Sequence, residues 1–365
     1  VPIPYTPSSA EWQASIQYSR DDRLMSTIIA FDHHWQTPAK TEQHAYERLK
    51  ALNSLGKGYL YIAFPWATLI DFLQTGKTIP PGLLEGYAQV KREAITASHG
   101  ATLITVCQHI FADRYVNLFK SCRISVVYWS HCTIQEPEIS GIEVRPFPLF
   151  AVQDRGRLPE SKDSSQIKSR KFKASFIGAY DPRYYQTVIR EEIFAICDSR
   201  REDYLIVPRS NWHFQEEVYS RQIKGEELDE ILKESKSKQA LEYIQALEDS
   251  VFSLCPSGSG PNSIRLWETL AFGSIPIVFS DTLALPGEIQ HWIEAAVFMP
   301  ESATRQDIQS LVDSHCLKTK AELEAKVLAG EMLYSRYGNS CFVWDILTQT
   351  NEKSKFFLES LGASP

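Results

Sequence analysis

The residues best placed to do chemistry stand between Val251 and Gly287. Val251 to Cys255 is a short apolar run of strand type, and Pro256, Ser257, Gly258, Ser259, Gly260 and Pro261 must end it in a loop. Asn262 or Ser263 then offers a helix N-cap, Ile264, Trp267, Leu270 and Ala271 recur at helical spacing, and Gly273 supplies a stop. A second buried-type strand, Ile275 to Phe279, follows at once. Strand, glycine-rich loop, helix, strand is a βαβ unit, and its loop is expected to present free backbone N–H groups and a positive helix end to a phosphate. Arg265 and Glu268 are three apart on that helix and share a face beside the loop. A guanidinium suits a diphosphate through fork geometry and fixed charge, and a carboxylate accepts hydrogen bonds from paired ribose hydroxyls. The plainer alternative is a surface ion pair between the two.

A second set of titratable residues sits at the ends of strands in the first half. The apolar run Leu24 to Phe31 leads into Asp32-His33-His34-Trp35, Thr102 to Cys107 into Gln108-His109, and Arg123 to Trp129 into Ser130-His131. Ligands of open α/β sheets bind at the carboxyl ends of strands, so Asp32, His33, His34, His109 and His131 are all candidates for a base, with no choice among them. Imidazole, with an ordinary pKa of about 6.5, can take a proton at neutral pH. Taken singly, each is more often a structural residue, and Trp35 reads equally as the anchor of a solvated loop.

These side chains need an alternating scaffold to hold them. Helical periodicity marks 41–55, 67–73, 82–98, 185–197, 239–247, 288–295, 304–312, 321–334 and 353–361, and strand patterns mark 59–64, 172–177 and 203–207. Such alternation predicts parallel sheets with right-handed crossovers. From Gln153 to Lys171 the chain is charged and almost without apolar residues, which places a linker there. The expected organisation is a first domain over 1–152, a linker over 153–171, a second domain over 172–345, and a C-terminal helix within 346–365 that crosses back. The loop 208–212 could offer Trp212 to a nucleobase, although packing is the commoner use of such a ring.

Composition narrows the function. A chain of 365 residues with 43% hydrophobic and 12% aromatic residues can bury two cores. No apolar run approaches the roughly 20 residues a membrane helix needs. A net charge of -7 argues against a general nucleic-acid or anionic-membrane surface, so any phosphate affinity must be local. Seven scattered cysteines without a CxxC pair indicate neither a zinc site nor a complete disulfide framework. No asparagine heads an N-x-S/T sequon, which leans toward a cytoplasmic protein. The first residue is Val1, and the alternative is the lumen of the secretory pathway with an N-terminal anchor removed.

The run Cys255-Pro256-Ser257-Gly258-Ser259-Gly260-Pro261-Asn262-Ser263-Ile264-Arg265-Leu266-Trp267-Glu268 resembles the signature of the exostosin-like glycosyltransferases, family 47. Gly273 to Val278, with Asp281 and Pro286, resembles that family's next block, with Ser274 where a Cys is commoner; Trp292 to Glu301 resembles a third, and Phe176-Ile177-Gly178 with Arg190 resembles the opening of its nucleotide-binding domain. The resemblance spans about 176–301. It implies two Rossmann-like α/β domains facing a cleft (GT-B type), an inverting transfer from a nucleotide diphosphate sugar, expected to be UDP-linked, to an oligosaccharide or glycan acceptor, and no cofactor beyond that substrate. The donor side would comprise Gly178, Arg183, Arg190, Ser257, Gly258, Ser259, Gly260, Asn262, Ser263, Arg265 and Glu268. No Asp-x-Asp occurs to clamp a diphosphate through a metal, so metal-independent turnover is expected. Eight residues before Glu268 stands Gly260, so the E-x7-E pair of retaining enzymes is missing. Two other readings compete: a catalytically silent nucleotide-sugar or glycan-binding protein, and a dinucleotide oxidoreductase, which the lack of a third glycine in SGSGPNS disfavours.

Overall fold

The computed structural model describes residues 27–52, 55, 58–97, 100–154, 164–199, 201–209 and 230–339. Two sheets organise them. The first contains β1 (Ile28–Ala30), β2 (Tyr59–Ala63), β3 (Thr102–Cys107), β4 (Val126–Trp129), β5 (Glu138–Ile139) and β6 (Ile142–Pro146), in the order β1-β2-β3-β4-β6-β5. All its pairings are parallel except β5 with β6. That exception is an edge hairpin: Ser140 and Gly141, both at positive φ (51° and 85°), turn the chain in two residues. The second sheet contains β7 (Phe172–Ala179), β8 (Tyr204–Arg209), β9 (Ser250–Pro256), β10 (Ile275–Phe279) and β11 (Val297–Met299), all parallel, in the order β11-β10-β9-β7-β8.

The central strands are buried on both faces, as their near-continuous apolar sequences require. In β2 to β4, Ile62, Leu103, Val127 and Trp129 join one core, while Tyr61, Ile104, Val126 and Tyr128 join another on the opposite face. In the second sheet Phe252, Leu254, Ile275, Ile277 and Phe279 point into one core, and Val278 into a second that also holds Leu266, Trp267, Leu270 and Trp292. Trp267 and Trp292 meet edge to face, with centroids 5.6 Å apart, and join helix Ile264–Ala271 to helix Ile289–Ala295. Such an aromatic pair contributes about 0.5–1.5 kcal/mol beyond its buried area.

Strand order locates the binding crevice. Between β7 and β9 the succession reverses, with β8 on one side and β10 and β11 on the other. Crossovers therefore leave the sheet in opposite directions there, and a cleft opens at the carboxyl ends of these two strands. Gly178 ends β7 and Ser257 follows β9, so both stand at that opening.

Helix expectations hold along most of the chain, with helices at Thr41–Leu52, Trp66–Thr75, Pro81–Ala97, Glu230–Glu248, Arg305–Cys316 and Lys320–Tyr337. Thr304 and Thr319 head the last two with capping boxes through Asp307 and Glu322. The segment expected to be helical over 185–197 is α-helical only at Ile189–Phe194, followed by a 3₁₀ turn over Ala195–Ser199. Its first residues are drawn instead to the glycine loop, where Gln186 N–H donates to the Gly258 carbonyl at 3.2 Å and Thr187 meets Ser257. Residues 155–163 of the expected linker, Trp212 and the expected C-terminal helix lie outside the described residues, but Ser164–Ser169 forms a 3₁₀ turn whose Ile167 is buried in the second core. No helix among the described residues is long and apolar enough to cross a membrane.

The two halves are stitched together directly. Ile134 N–H donates to the Thr282 carbonyl and Ala284 N–H to the Cys132 carbonyl, each at 2.9 Å, around a bridge between Thr133 and Leu283. Ala284 itself packs into the first half's core.

Candidate functional site

At the crevice, Arg190 and Arg265 converge on the ring of Phe176, their guanidinium carbons 5.3 and 4.5 Å from its centroid. Arg190 comes from helix Ile189–Phe194 and is buried. It stacks on Tyr185 at 4.3 Å and donates to the carbonyls of Ser257 (3.1 Å) and Ala179 (2.8 Å). Arg265 donates to the Ile177 carbonyl and lies over the Tyr243 ring at 5.0 Å. No carboxylate among the described residues pairs with either arginine. Burial, with Arg265 adding to it, holds the Arg190 guanidinium down to about 10, and Tyr185 partly opposes this; the group still carries its charge at neutral pH. Two neighbouring cations held by rings and carbonyl dipoles, with no carboxylate of the described residues paired to them, make a candidate anion site.

The glycines let this cluster close. A Cβ on Gly178 would lie 2.8 Å from the Phe176 ring and 3.3 Å from Nη2 of Arg265, whereas one on Gly258 would make ordinary contacts with Tyr185 and Arg190. The loop amides contribute less than the sequence suggests. Ser257 N–H donates to the Phe279 carbonyl and Gly258 N–H to the Gly260 carbonyl, both at 3.0 Å. Ser257 Oγ donates to Glu301, a half-buried carboxyl that burial pushes up and whose own N–H donates to Asp281. Ser259 is half-buried at the tip. Ser263 takes the N-cap position with extended backbone but makes no side-chain cap bond. Asn262 is buried, and both ends of its amide are engaged: Nδ2 donates to the Ser130 carbonyl at 2.7 Å, and Oδ1 accepts Nε1–H of Trp267 at 3.0 Å. Arg183 is far from buried and pairs with Asp181 at 2.6 Å within its own loop.

Glu268 is not part of a surface ion pair. It is 4% exposed, its Oε2 accepts the Tyr243 hydroxyl at 2.8 Å, and its Oε1 accepts the N–H of Gln153 at 3.0 Å. Burial raises its carboxyl to about 7 against the lowering by these hydrogen bonds and by Arg265.

Of the base candidates, the structure brings only His131 to the loop. It follows β4, is buried, and faces Gly260 so closely that a Cβ there would lie 2.5 Å from its Nδ1. That nitrogen has no hydrogen-bond partner, and burial, reinforced by His109, pushes the imidazole down to about 3, so the ring is neutral. His109 follows the adjacent β3 and has both nitrogens engaged: Nδ1 accepts the Phe111 N–H at 3.1 Å, which leaves the proton on Nε2, 3.2 Å from Oδ1 of buried Asp71. Gln36 holds the other Asp71 oxygen at 2.5 Å. Asp32, His33 and His34 follow β1, three strands from β4, or roughly 14 Å at the usual strand spacing. There His33 is exposed and 3.6 Å from Asp32, whose other oxygen accepts the Tyr46 hydroxyl, and His34 takes a left-handed backbone (φ 63°) and stacks on Phe31.

Sequence reasoning missed Tyr243, Tyr185, Gln153, Asp71 and Glu301 as site-builders. Glu301 carried a signal, since it ends the third block and follows β11 as Ser257 follows β9.

Comparison with known proteins identifies the family. The chain is similar to a probable glucuronosyltransferase GUT1 of Oryza sativa subsp. japonica, 40% identical over 65 residues, and to a probable beta-1,4-xylosyltransferase IRX10 of Arabidopsis thaliana, 38% identical over 60 residues. These matches cover 18% and 16% of this chain and only 16% and 15% of the relatives' own length. Among solved structures, an alpha-glucosyltransferase in complex with UDP and a 13-mer DNA containing an A:G mismatch aligns over 88% of this chain and 90% of its own, at 13% identity and a TM-score of 0.45. The profile of the Exostosin GT47 domain matches residues 93–314, more than half of the chain and including Arg190, Arg265 and the glycine loop. With two α/β sheets meeting at their carboxyl ends and the signature loop between them, the chain belongs to the exostosin GT47 family.

Proposed function

We propose that this chain is an inverting glycosyltransferase that moves a sugar from a UDP-linked donor to a hydroxyl of a glycan, with no metal clamp on the diphosphate. The observation that carries the reading is the pair Arg190 and Arg265, two cations without carboxylate partners among the described residues at the switch point of the second sheet. They supply the positive charge that a leaving diphosphate needs as the bond to the sugar breaks. In the direct displacement the acceptor oxygen bonds to the anomeric carbon, the electron pair of the breaking bond goes to the diphosphate, and the acceptor proton goes to a base. His131 is the base in this reading, because its neutral ring stands against the glycine loop while both nitrogens of His109 are engaged. A diphosphate bound beside His131 opposes the effect of burial and raises its proton affinity.

The test combines titration with UDP and turnover with a panel of UDP-sugars and oligosaccharide acceptors, with and without EDTA. Arg190→Met and Arg265→Met should each weaken UDP binding by about 10- to 100-fold, the worth of a charge-assisted hydrogen bond. His131→Asn should depress kcat and spare UDP affinity. Wild-type affinity in both arginine variants would refute the anion site, and activity abolished by EDTA and restored by manganese would refute the metal-free mechanism. Binding without UDP release would leave a nucleotide-sugar-binding protein.

A further inference from the structure

We infer that Tyr243 is the positioning residue of the donor site: one side chain holds Arg265 with its ring and Glu268 with its hydroxyl, so that the diphosphate-binding and ribose-binding groups are set as a unit. This inference rests on the reading of Arg265 and Glu268 as donor-binding residues. Helix Glu230–Glu248 packs Ile244 and Leu247 against Ala271 and Phe272, at the end of helix Ile264–Ala271. That packing brings Tyr243 over the first turns of the shorter helix. Its ring centroid is 5.0 Å from the Arg265 guanidinium carbon, and its hydroxyl is 2.8 Å from Oε2 of Glu268.

The arrangement solves a problem inherent in the site. Arg265 and Glu268 lie three apart on one helical face and could close on each other as an ion pair, which would occupy the groups meant for the ligand. Tyr243 stands against both. A ring face attracts the guanidinium without neutralising it, and the phenol donates to the carboxylate without adding charge. Arg265 is sandwiched between Tyr243 and Phe176, with its remaining orientation set by the Ile177 carbonyl.

Several groups among the described residues face Glu268. They are Tyr243 from the long helix, Arg265 from its own helix, Cys255 from β9, and the backbone N–H groups of Val152 and Gln153 from the segment leaving the first sheet. Burial pushes the Tyr243 phenol well above its ordinary value, so it remains a donor across any practical pH range. Of the groups that lower the Glu268 carboxyl, it lowers it most. Removing the hydroxyl alone should therefore move Glu268 toward its protonated form at neutral pH and weaken its acceptance of ribose hydroxyls.

Tyr243→Phe in the full chain keeps the ring over Arg265 and removes only the hydroxyl. The readout is the ratio of dissociation constants for 2′-deoxy-UDP and UDP, measured from pH 6 to pH 9. Wild type should prefer UDP, and Tyr243→Phe should lose about tenfold of that preference at pH 7, the worth of a hydrogen bond to a charged group. The loss should shrink as pH rises and Glu268 ionises. Glu268→Gln should lose the preference at every pH, and Tyr243→Phe in that background should cost nothing more, because the hydroxyl acts through the carboxylate. A wild-type ratio and pH profile in Tyr243→Phe, or a wild type that does not distinguish the two nucleotides, would overturn the inference. If Arg265→Met weakens UDP in the same experiments, the donor-site reading survives that outcome; if wild type binds no UDP, both fall.

Discussion

Gly260→Ala should disturb the donor loop through its neighbour rather than through its own backbone. The added Cβ would lie 2.5 Å from Nδ1 and 3.0 Å from Cε1 of His131, and 2.9 Å from Cγ2 of Ile110, all inside the roughly 3.5–4.0 Å at which non-bonded atoms rest. His131 is buried and cannot swing out freely, so either the loop or the tip of β4 must shift. Overpacking of this kind costs about 1–3 kcal/mol. If the loop yields, UDP binding weakens by about five- to 150-fold; if the β4 tip yields, the same energy appears as lost stability. Titration with UDP and thermal unfolding, read together, capture both. The decisive variant adds His131→Ala, which removes two of the three closest atoms and should restore much of the loss, a coupling of about 1 kcal/mol or more. Wild-type affinity and melting temperature in Gly260→Ala, or a double variant no better than the single, would refute the claim that the glycine is required by the histidine across the cleft.

Two further outcomes follow from buried polar groups. The Glu268 carboxyl is raised from its ordinary 4.5 to about 7, so between those values the folded chain holds a proton that the unfolded chain has lost, and stability falls as pH rises through that window. Relative to wild type, Glu268→Gln should gain stability over the same window, by up to about 3 kcal/mol, and run parallel above it; unfolding curves parallel from pH 4.5 to 8 would count against this. Asn262→Ala should cost about 1–3 kcal/mol, because it leaves Nε1–H of buried Trp267 without an acceptor and cuts the bond to Ser130. Denaturant unfolding measures it, and a change under 0.5 kcal/mol would be the contrary result.

Local pattern carried the central βαβ unit. β9, the glycine loop, the helix and β10 stand where apolar runs and turn residues put them, because each is decided by neighbours within a few positions. The candidate site was legible as a list of residues and less so in its contacts. Arg190 and Arg265 could be named as candidates for phosphate binding, but not the ring of Phe176 that both share. Asn262 looked like a helix cap, yet its amide reaches 132 positions back to Ser130. Glu268 is tied to Gln153, 115 positions away, and Ser257 to Glu301, 44 away. Such pairings arise from strand order, which no single window of sequence contains. The shortened helix at 189–194 has the same origin: Gln186 and Thr187 give up helical geometry for partners in a loop some 70 positions later.

The bridge between Thr133 and Leu283 bears on protein engineering. A graft of this chain's second half onto another family member's first half would sever this two-strand clasp and strand Ala284 in a foreign core unless 131–134 travelled with 282–284. Chimaeras should therefore be cut so that 131–134 and 282–284 come from one parent.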